Sequence, residues 1–298
     1  MSGPRSFLLR FAPVIFLILW SAGFAVAKVA VTHAAPLTIL ALRYGLLLMI
    51  LAPLALILRP PMPATWRAAA DIAIVGFLIQ VVYFGLCYLA FKAGVSAASV
   101  AIIVCLQPIL VALAAPYAVG ERVSGRGWIG LILGLLGASL VITGRSALHI
   151  ENSGGLALTF LALLGITCGT LWEKRFGVAH HPVTSNLIQY AVGAAFTLPM
   201  ALALEPMSIA WDAGFIAAMA YLVLANSLLA MTLLLAMIRA GEVSRVSALF
   251  YLVPALSALF AWPLLGEEMP PISWVGMAIA GLGVAMVSRK PAVTEPGA

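Results

Sequence analysis

Residues 108–137 read PILVALAAPYAVGERVSGRGWIGLILGLLG, and residues 254–283 read PALSALFAWPLLGEEMPPISWVGMAIAGLG. The two stretches share a leading proline, a Gly-Glu pair, a tryptophan and two glycines, each 146 positions from its counterpart. The same offset relates four upstream pairs: Gly23 with Gly169, Lys28 with Lys174, Pro36 with Pro182, and Tyr44 with Tyr190. Because so many positions recur in register, the sequence indicates a duplicated unit.

The duplication divides the chain into two units. We place the first repeat in residues 1–145 and the second in residues 146–298, ending in a short disordered tail after Lys290. Gly94 and Gly241 are 147 positions apart, so the second repeat carries one extra residue before that point.

The composition predicts an integral membrane protein. Hydrophobic residues make up 64% of the chain and charged residues 9%, with a mean hydropathy of +1.13. A soluble domain carries about 25% charged residues, so this chain cannot cover itself with a polar surface. Loop charges explain the net charge of +6, and nucleic-acid binding is not expected. The three cysteines lie in apolar stretches and favour neither a disulfide framework nor a metal site.

Ten apolar stretches are separated by charged and turn-forming residues: 11–27, 36–58, 72–91, 95–119, 127–144, 154–172, 183–204, 213–238, 246–265 and 272–288. Their lengths are close to the roughly 17–25 residues of a spanning helix. Helices are expected because lipid cannot satisfy the backbone of an open sheet. The first stretch has features of a secretory signal, but its counterpart before Lys174 lies mid-chain, so we interpret it as a retained helix. The predicted fold is all-α, with ten transmembrane helices.

The cationic residues predict the orientation of these helices. Twelve lysines and arginines fall on the side of the N-terminus, whereas the opposite side has Lys28, Lys92 and Arg145. By the positive-inside rule, both termini are expected to be cytoplasmic. Five helices is an odd number, so the second repeat is expected to be inverted relative to the first. Inverted repeats are typical of transporters that bind substrate near the midplane and work by alternating access.

The doubled Pro, Gly-Glu, Trp and Gly pattern resembles the drug/metabolite transporter superfamily, in its ten-helix EamA-type branch. Two further motifs carry the resemblance: residues 20–24, reading WSAGF, and residues 42–44, reading LRY. Within that branch the chain is most similar to YddG-type exporters of aromatic amino acids. The resemblance implies a bacterial inner-membrane transporter, with helices one to four of each repeat around the cavity and the fifth and tenth packed outside it.

Polar and aromatic residues inside the apolar stretches are the candidates for a substrate cavity. We select eight: Gln80, Tyr83, Gln107, Asn226, Tyr251, Asn186, Trp20 and Trp172. Amides, hydroxyls and rings together suit a small zwitterion with an apolar side chain. Interhelical hydrogen bonding, worth only about 0.6 kcal/mol per bond on average, is the alternative role for each. Trp20 and Trp172 could instead belong to the aromatic belt at the membrane interface.

Arg43 is the only formal charge inside the ten apolar stretches. It could anchor a substrate carboxylate, but we favour a structural role in which it reaches the external interface about two turns from the helix start. Pro108 and Pro254 each free a carbonyl one turn earlier, so they are candidate hinges between the repeats or simple kinks.

The stretches contain no Asp or Glu, so the carboxylate of a proton relay is not evident and export is expected to be facilitative. The same absence argues against a drug-efflux antiporter, the first alternative. A polytopic membrane enzyme, the second alternative, would need an acidic partner for His180 and His181, and the sequence places none at useful spacing. No cofactor is expected. The expected partners are a small-molecule substrate and the bilayer, with the protein a monomer or weak dimer.

Overall fold

The computed structural model describes residues 4–93, 95, 100, 103–145, 153–176, 180–241, 243–265 and 270–288. The predicted disordered tail and Glu267 lie outside the described residues. Ten helices run through the described ranges: α1 (Pro4–Ala30), α2 (Pro36–Leu58), α3 (66–92), α4 (Gln107–Ala118), α5 (Gly125–Arg145), α6 (Ser153–Phe176), α7 (Pro182–Leu204), α8 (213–240), α9 (243–265) and α10 (Pro271–Ser288). Within these ranges the only β pairing is an isolated bridge between Ala34 and Ile209.

The helices have the length and apolarity of membrane spans. Five of them, α2, α3, α6, α7 and α8, are long and apolar enough to cross a bilayer within the described residues. The other five contain shorter apolar segments. The predicted all-α membrane fold of ten helices is therefore confirmed.

Local sequence determines where the helices begin. Pro36 and Pro182 occupy the first turns of α2 and α7, each after a residue in extended conformation. Proline suits this position because its missing N–H would be unpaired there in any case. Thr65 and Asp212 cap α3 and α8 by accepting hydrogen bonds from backbone amides within the first turn.

Helices α3 and α8, which are counterparts in the two repeats, both contain a π-helical segment. In α3 this segment is Phe77–Tyr83, and in α8 it is Tyr221–Ala230. A π-helical turn widens the helix and rotates the side chains that follow it. The same irregularity therefore occurs in counterpart helices of the two repeats.

The contacts between helices have the symmetry expected of inverted repeats. The α5 helix packs on α10, and α2 packs on α7. Moreover, α1 contacts α8 and α9, while its counterpart α6 contacts α3 and α4. Exchanging every helix with its counterpart leaves this set of contacts unchanged, as a pseudo-twofold axis requires. The position of the boundary between the repeats, at residue 145, stays a prediction.

The α5–α10 contact is antiparallel and depends on glycine. A Cβ atom added at Gly137 would lie 2.6 Å from the Gly276 carbonyl oxygen, and one at Gly130 would lie 2.7 Å from the Gly283 oxygen. These distances leave no room for a methyl group against backbone. The predicted small-residue stripes on these two helices therefore serve close packing.

Several helices extend past the ends that hydropathy predicts, and acidic residues lie inside them. Asp71 is within α3, where it accepts a hydrogen bond from Trp172 Nε1 at 3.2 Å. Glu173 is within α6, is 1% exposed, and forms an ion pair with Arg239 of α8. The expectation that the spans carry no carboxylate is therefore wrong at their ends, because partners on neighbouring helices allow these charges to be buried.

Candidate substrate cavity

A cavity of about 260 Å³ lies between helices of both repeats. The first repeat contributes α1, α2, α3 and the residues before α4, and the second contributes α8. Most lining residues are apolar or aromatic, and the complete lining is Trp20, Gly23, Ala27, Val31, Arg43, Tyr83, Phe84, Cys87, Tyr88, Val95, Val100, Leu222 and Asn226. Ala27 and Tyr88 lie near the C-terminal ends of α1 and α3, and Val31 directly follows α1, so the cavity lies in the half of the bundle away from the N-terminus.

Arg43 is the charged group of this cavity and is 1% exposed. Its Nε donates to Ser227 Oγ, and its Nη2 donates to Asn226 Oδ1 at 2.8 Å. The guanidinium also hydrogen-bonds with Tyr88, and its central carbon lies 5.1 Å from the centre of the Phe84 ring. The expectation that Arg43 reaches the interface is therefore wrong. Polar groups of α8 accept two of its hydrogen bonds and hold the guanidinium inside the bundle.

Aromatic rings form the wall and the floor of the cavity. The Phe84 ring lies 4.8 Å from Tyr83 and 5.9 Å from Trp20, measured between ring centres. On its other side Trp20 contacts Phe250 at 5.9 Å, and Phe16 contacts both Trp20 and Phe250. Phe16 and Phe250 do not line the cavity, so they connect its aromatic surface to the buried core. The cavity thus combines an extended aromatic surface with one guanidinium and one amide.

Four of the predicted site residues meet here, namely Trp20, Tyr83, Asn226 and Arg43. Two others lie deeper, between helices. Gln80 is fully buried, and its side-chain amide has no hydrogen-bond partner among the described residues. Gln107 Nε2 donates to Thr170 Oγ1 at 3.4 Å, joining α4 to α6.

The remaining three predicted residues also lie away from this cavity. Asn186 Nδ2 donates to Thr232 Oγ1 at 2.6 Å. Tyr251 is fully buried against Gly134 of α5. Trp172 bonds to Asp71 near the end of α6, and its ring packs on Phe176. Contact of these residues with substrate in another conformation stays a prediction.

Sequence reasoning missed Phe84 and Tyr88, which face the cavity. In this part of α3 the selection kept only Gln80 and Tyr83. Tyr83, Phe84, Cys87 and Tyr88 are at i, i+1, i+4 and i+5, so they share one face of α3 and all line the cavity. The four-residue spacing between these two aromatic residues was a signal that could have found them.

The two proline candidates occupy equivalent breaks. Pro108 lies in the first turn of α4, directly after a turn at residues 105–106. Pro254 follows the 3₁₀ segment Leu249–Leu252 within α9 and begins its second, α-helical part. Each proline therefore starts a helical segment rather than bending a continuous helix. Their role as hinges stays a prediction.

Polar contacts join the repeats on the face that holds the connection between α4 and α5, which we call the N-terminal face. Glu121 of the first repeat accepts a hydrogen bond from the backbone N–H of Val243 at 2.8 Å and lies 3.5 Å from Lys174 Nζ. Lys174 Nζ also donates to the Gly241 carbonyl oxygen at 2.5 Å. The Glu121 carboxylate of the first repeat thus binds the start of α9 and the end of α6, both in the second repeat.

The opposite face has a different inter-repeat contact, at the edge of the bundle. The Glu205 carboxylate at the end of α7 accepts hydrogen bonds from the backbone amides of Leu37 and Thr38, at 3.1 and 2.8 Å. It therefore caps the N-terminus of α2, where a negative charge is favoured. Lys92 lies 3.6 Å away. This contact fixes the α2–α7 pair.

Comparison with known proteins identifies the family. The profile of the EamA-like transporter family matches residues 10–143 and again residues 153–289, which together cover most of the chain. The chain belongs to the EamA-like transporter family. The two matches correspond to the two repeats, and the predicted resemblance is confirmed. This EamA-like transporter is a multi-pass membrane protein.

Curated relatives agree with that assignment at low identity. The chain is 26% identical to "Uncharacterized transporter YvbV" of Bacillus subtilis, over 92% of this chain and 89% of the relative. It is 25% identical to a "Probable amino-acid metabolite efflux pump" of Salmonella typhimurium, over 93% and 91% of the two chains. A crystal structure of another protein superposes with a TM-score of 0.79 at 16% identity, covering 94% of this chain and 97% of that one. At this identity the superposition supports the fold alone.

Proposed function

We propose that this EamA-like transporter exports amino acids, preferentially aromatic ones, across the bacterial inner membrane. Both termini are cytoplasmic, and transport proceeds by alternating access between the inverted repeats. The name of the Salmonella relative supports amino-acid metabolites as a substrate class. The direction of export follows from the resemblance to YddG-type exporters.

The observation that carries this proposal is the cavity between the repeats. Its rings can stack on an aromatic side chain, while Arg43 and Asn226 provide polar groups at one end. Its volume of about 260 Å³ is smaller than the roughly 300–1,000 Å³ of pockets for drug-sized ligands. A single small metabolite therefore fits better than a large dye, which disfavours multidrug efflux.

The inter-repeat contacts support alternating access. The cavity lies toward the opposite face, while Glu121, Lys174 and Val243 hold the N-terminal face together. In an inverted-repeat transporter the second state is related to the first by the pseudo-twofold axis. We therefore expect the opposite face to close when the N-terminal face opens.

Transport is proposed to be facilitative. None of the cavity-lining residues is an Asp or Glu that could carry a proton with the substrate. Glu173 is buried but is paired with Arg239 near the end of α6, away from the lining residues. Transport that required an imposed pH gradient at constant substrate gradient would contradict this part of the proposal.

The experiment that tests the function is counterflow in proteoliposomes. Labelled phenylalanine, tryptophan, threonine and a cationic dye would be offered to the purified protein. We expect exchange of phenylalanine and tryptophan exceeding that of threonine, and no uptake of dye. Uptake of dye without any amino acid would overturn the assignment.

A matched pair of variants connects transport to the cavity. Leu222 lines the cavity and is 1% exposed, whereas Leu224 on the same helix is 52% exposed on the outer surface. Leu222→Trp should fill the cavity and abolish counterflow, while Leu224→Trp should leave it unchanged. Equal activity of the two variants at equal protein levels would place the substrate elsewhere.

A further inference from the structure

We propose that the cavity selects its substrate by a carboxylate and an apolar group, and that it does not require an α-ammonium group. The substrate class therefore includes aryl and alkyl monocarboxylates as well as amino acids. This inference rests on the proposed function and extends it, because it states which part of the amino acid is recognised.

The first argument is the charge of Arg43. A cation taken out of water is strongly destabilised unless an anion compensates it. Arg43 is 1% exposed, and its described partners, Ser227, Asn226 and Tyr88, are all neutral. Among the described residues no carboxylate lies within ion-pair distance of it. The guanidinium lines the cavity and therefore has the electrostatic environment of an anion-binding site.

The second argument is the number of free donors. A guanidinium has five N–H groups in a fork that matches the two oxygens of a carboxylate. Ser227 and Asn226 accept from two of these groups, and Tyr88 bonds with the same guanidinium. Donors remain for an occupant. The α8 contacts also hold the guanidinium in place, so little ordering is needed when a carboxylate binds.

The third argument is the environment that an ammonium group would meet. None of the lining residues is acidic, and the Asn226 amide oxygen already accepts from Arg43. Two acidic groups of the second repeat already have partners: Glu205 caps α2, and Asp212 pairs with His33. An ammonium in the cavity would lose its hydration without gaining an anionic partner. Removing it from the substrate should therefore cost little affinity.

A series of three ligands with the same phenyl ring tests this inference. Phenylalanine has both charged groups, 3-phenylpropionate has only the carboxylate, and phenethylamine has only the ammonium. Each would compete, at constant pH 7.4, against counterflow of labelled phenylalanine in proteoliposomes. We expect 3-phenylpropionate to inhibit within about threefold of unlabelled phenylalanine, and phenethylamine to be weaker by about tenfold or more, as the loss of a charge-assisted bidentate contact implies.

A second readout separates this inference from the proposed function. Thermal unfolding in detergent would be followed with each ligand, since a ligand that binds the native state raises the unfolding temperature. Phenylalanine counterflow without inhibition or stabilisation by 3-phenylpropionate would overturn the inference and leave the proposed function standing. Stabilisation by 3-phenylpropionate without amino-acid transport would support the inference and contradict the proposed function. If 3-phenylpropionate does not stabilise the protein and no amino acid is transported, both the inference and the proposed function are contradicted.

Variants of Arg43 add a residue-level test. Arg43→Gln removes the charge, so 3-phenylpropionate and phenethylamine should then inhibit or stabilise to a similar extent. Arg43→Lys keeps the charge and should retain the preference for carboxylate with weaker binding. A carboxylate preference unchanged in Arg43→Gln would overturn the assignment of Arg43. If that variant does not fold, the ligand series on the unaltered protein still decides the substrate class.

Discussion

The rings of Tyr44 and Tyr190, counterparts in the two repeats, stack on each other with centres 5.8 Å apart and planes inclined by 30°. The Tyr44 hydroxyl donates to the Gln80 carbonyl oxygen at 3.0 Å, and the Tyr190 hydroxyl donates to the Ser227 carbonyl oxygen at 2.6 Å. Both carbonyls belong to the π-helical segments of α3 and α8. The pseudo-twofold axis therefore passes between two tyrosines. Each of them donates a hydrogen bond to a backbone carbonyl of a π-helical segment.

Removal of either hydroxyl should destabilise the protein to a similar extent. Tyr44→Phe and Tyr190→Phe each leave one buried carbonyl without its side-chain donor, at a cost of about 1–2 kcal/mol. Thermal unfolding in detergent, followed by size-exclusion chromatography, would measure the loss. Tyr117→Phe is the control, because Tyr117 is 91% exposed. A large effect in only one of the two variants would argue against equivalent roles.

The α5–α10 contact should tolerate no methyl group at its crossing point. In Gly137→Ala the new Cβ would lie 2.3 Å from the Ala280 backbone nitrogen. We expect a loss of about 1–3 kcal/mol, as is typical of overpacking, seen as a lower unfolding temperature. Gly281→Ala on α10 is the matched control, since a Cβ there meets nothing within 4 Å. If both variants behave like the unmodified protein, the two helices do not pack as closely as described.

Glu121 should keep the N-terminal face closed. Glu121→Ala removes the acceptor for the Val243 amide and the partner of Lys174, so the start of α9 should separate more often. A cysteine placed at Ser244, which is 5% exposed, would report this opening to a membrane-impermeant maleimide. The background would lack the three native cysteines. We expect labelling several times faster than in the parent.

Arg122→Ala is the control for that experiment, because Arg122 is exposed beside Glu121. Unchanged labelling in Glu121→Ala would show that the carboxylate does not hold the face closed.

The His33–Asp212 pair should make stability depend weakly on pH. The Val29 carbonyl, followed by the Asp212 carboxylate, raises the pKa of His33, and the backbone N–H of Phe215 lowers the pKa of Asp212. Since the folded protein favours protonated His33, its contribution is complete below the ordinary histidine pKa of about 6.5. That contribution is lost as pH rises through the elevated value. The Asp212 contribution is present above its ordinary pKa and is lost only in acid.

Unfolding temperatures measured between pH 6 and 8.5 would test this expectation. The unmodified protein should lose a small amount of stability across that range, and His33→Gln should lose less. A steeper pH dependence in His33→Gln than in the parent would contradict the assignment.

The fold could be predicted from sequence because the repeat is visible residue by residue. The offset that relates Tyr44 to Tyr190 predicted the duplication, the apolar stretches predicted the ten helices, and the odd number of helices in each repeat predicted the inversion. The candidate site was predicted only in part. Polar or aromatic character selected Trp20, Tyr83 and Asn226, which line the cavity, but the selection passed over Phe84 and Tyr88 on the same face of α3.

The environment of Arg43 was the other point that sequence could not decide. Distance from the helix start favoured the interface, whereas the decisive partners, Ser227 and Asn226, lie more than 180 residues away in the second repeat. Glu173 is a similar case, because its partner Arg239 belongs to a different helix. Long-range pairing of polar groups, not hydropathy, determined where these charges lie.

The burial of Arg43 has a consequence for how the membrane voltage acts on the carrier. The Arg43 backbone lies about 10 Å along α2 from the first residue of the helix, and the side chain is buried, so a fixed elementary charge lies within the transmembrane field. A full crossing of that field is worth about 2.3 kcal/mol per 100 mV. A bound monocarboxylate would neutralise the charge, so an imposed potential should bias the empty carrier more strongly than the loaded one. Transient currents on a solid-supported membrane should therefore become smaller when 3-phenylpropionate saturates the protein. Larger currents would contradict neutralisation of the Arg43 charge by the bound carboxylate.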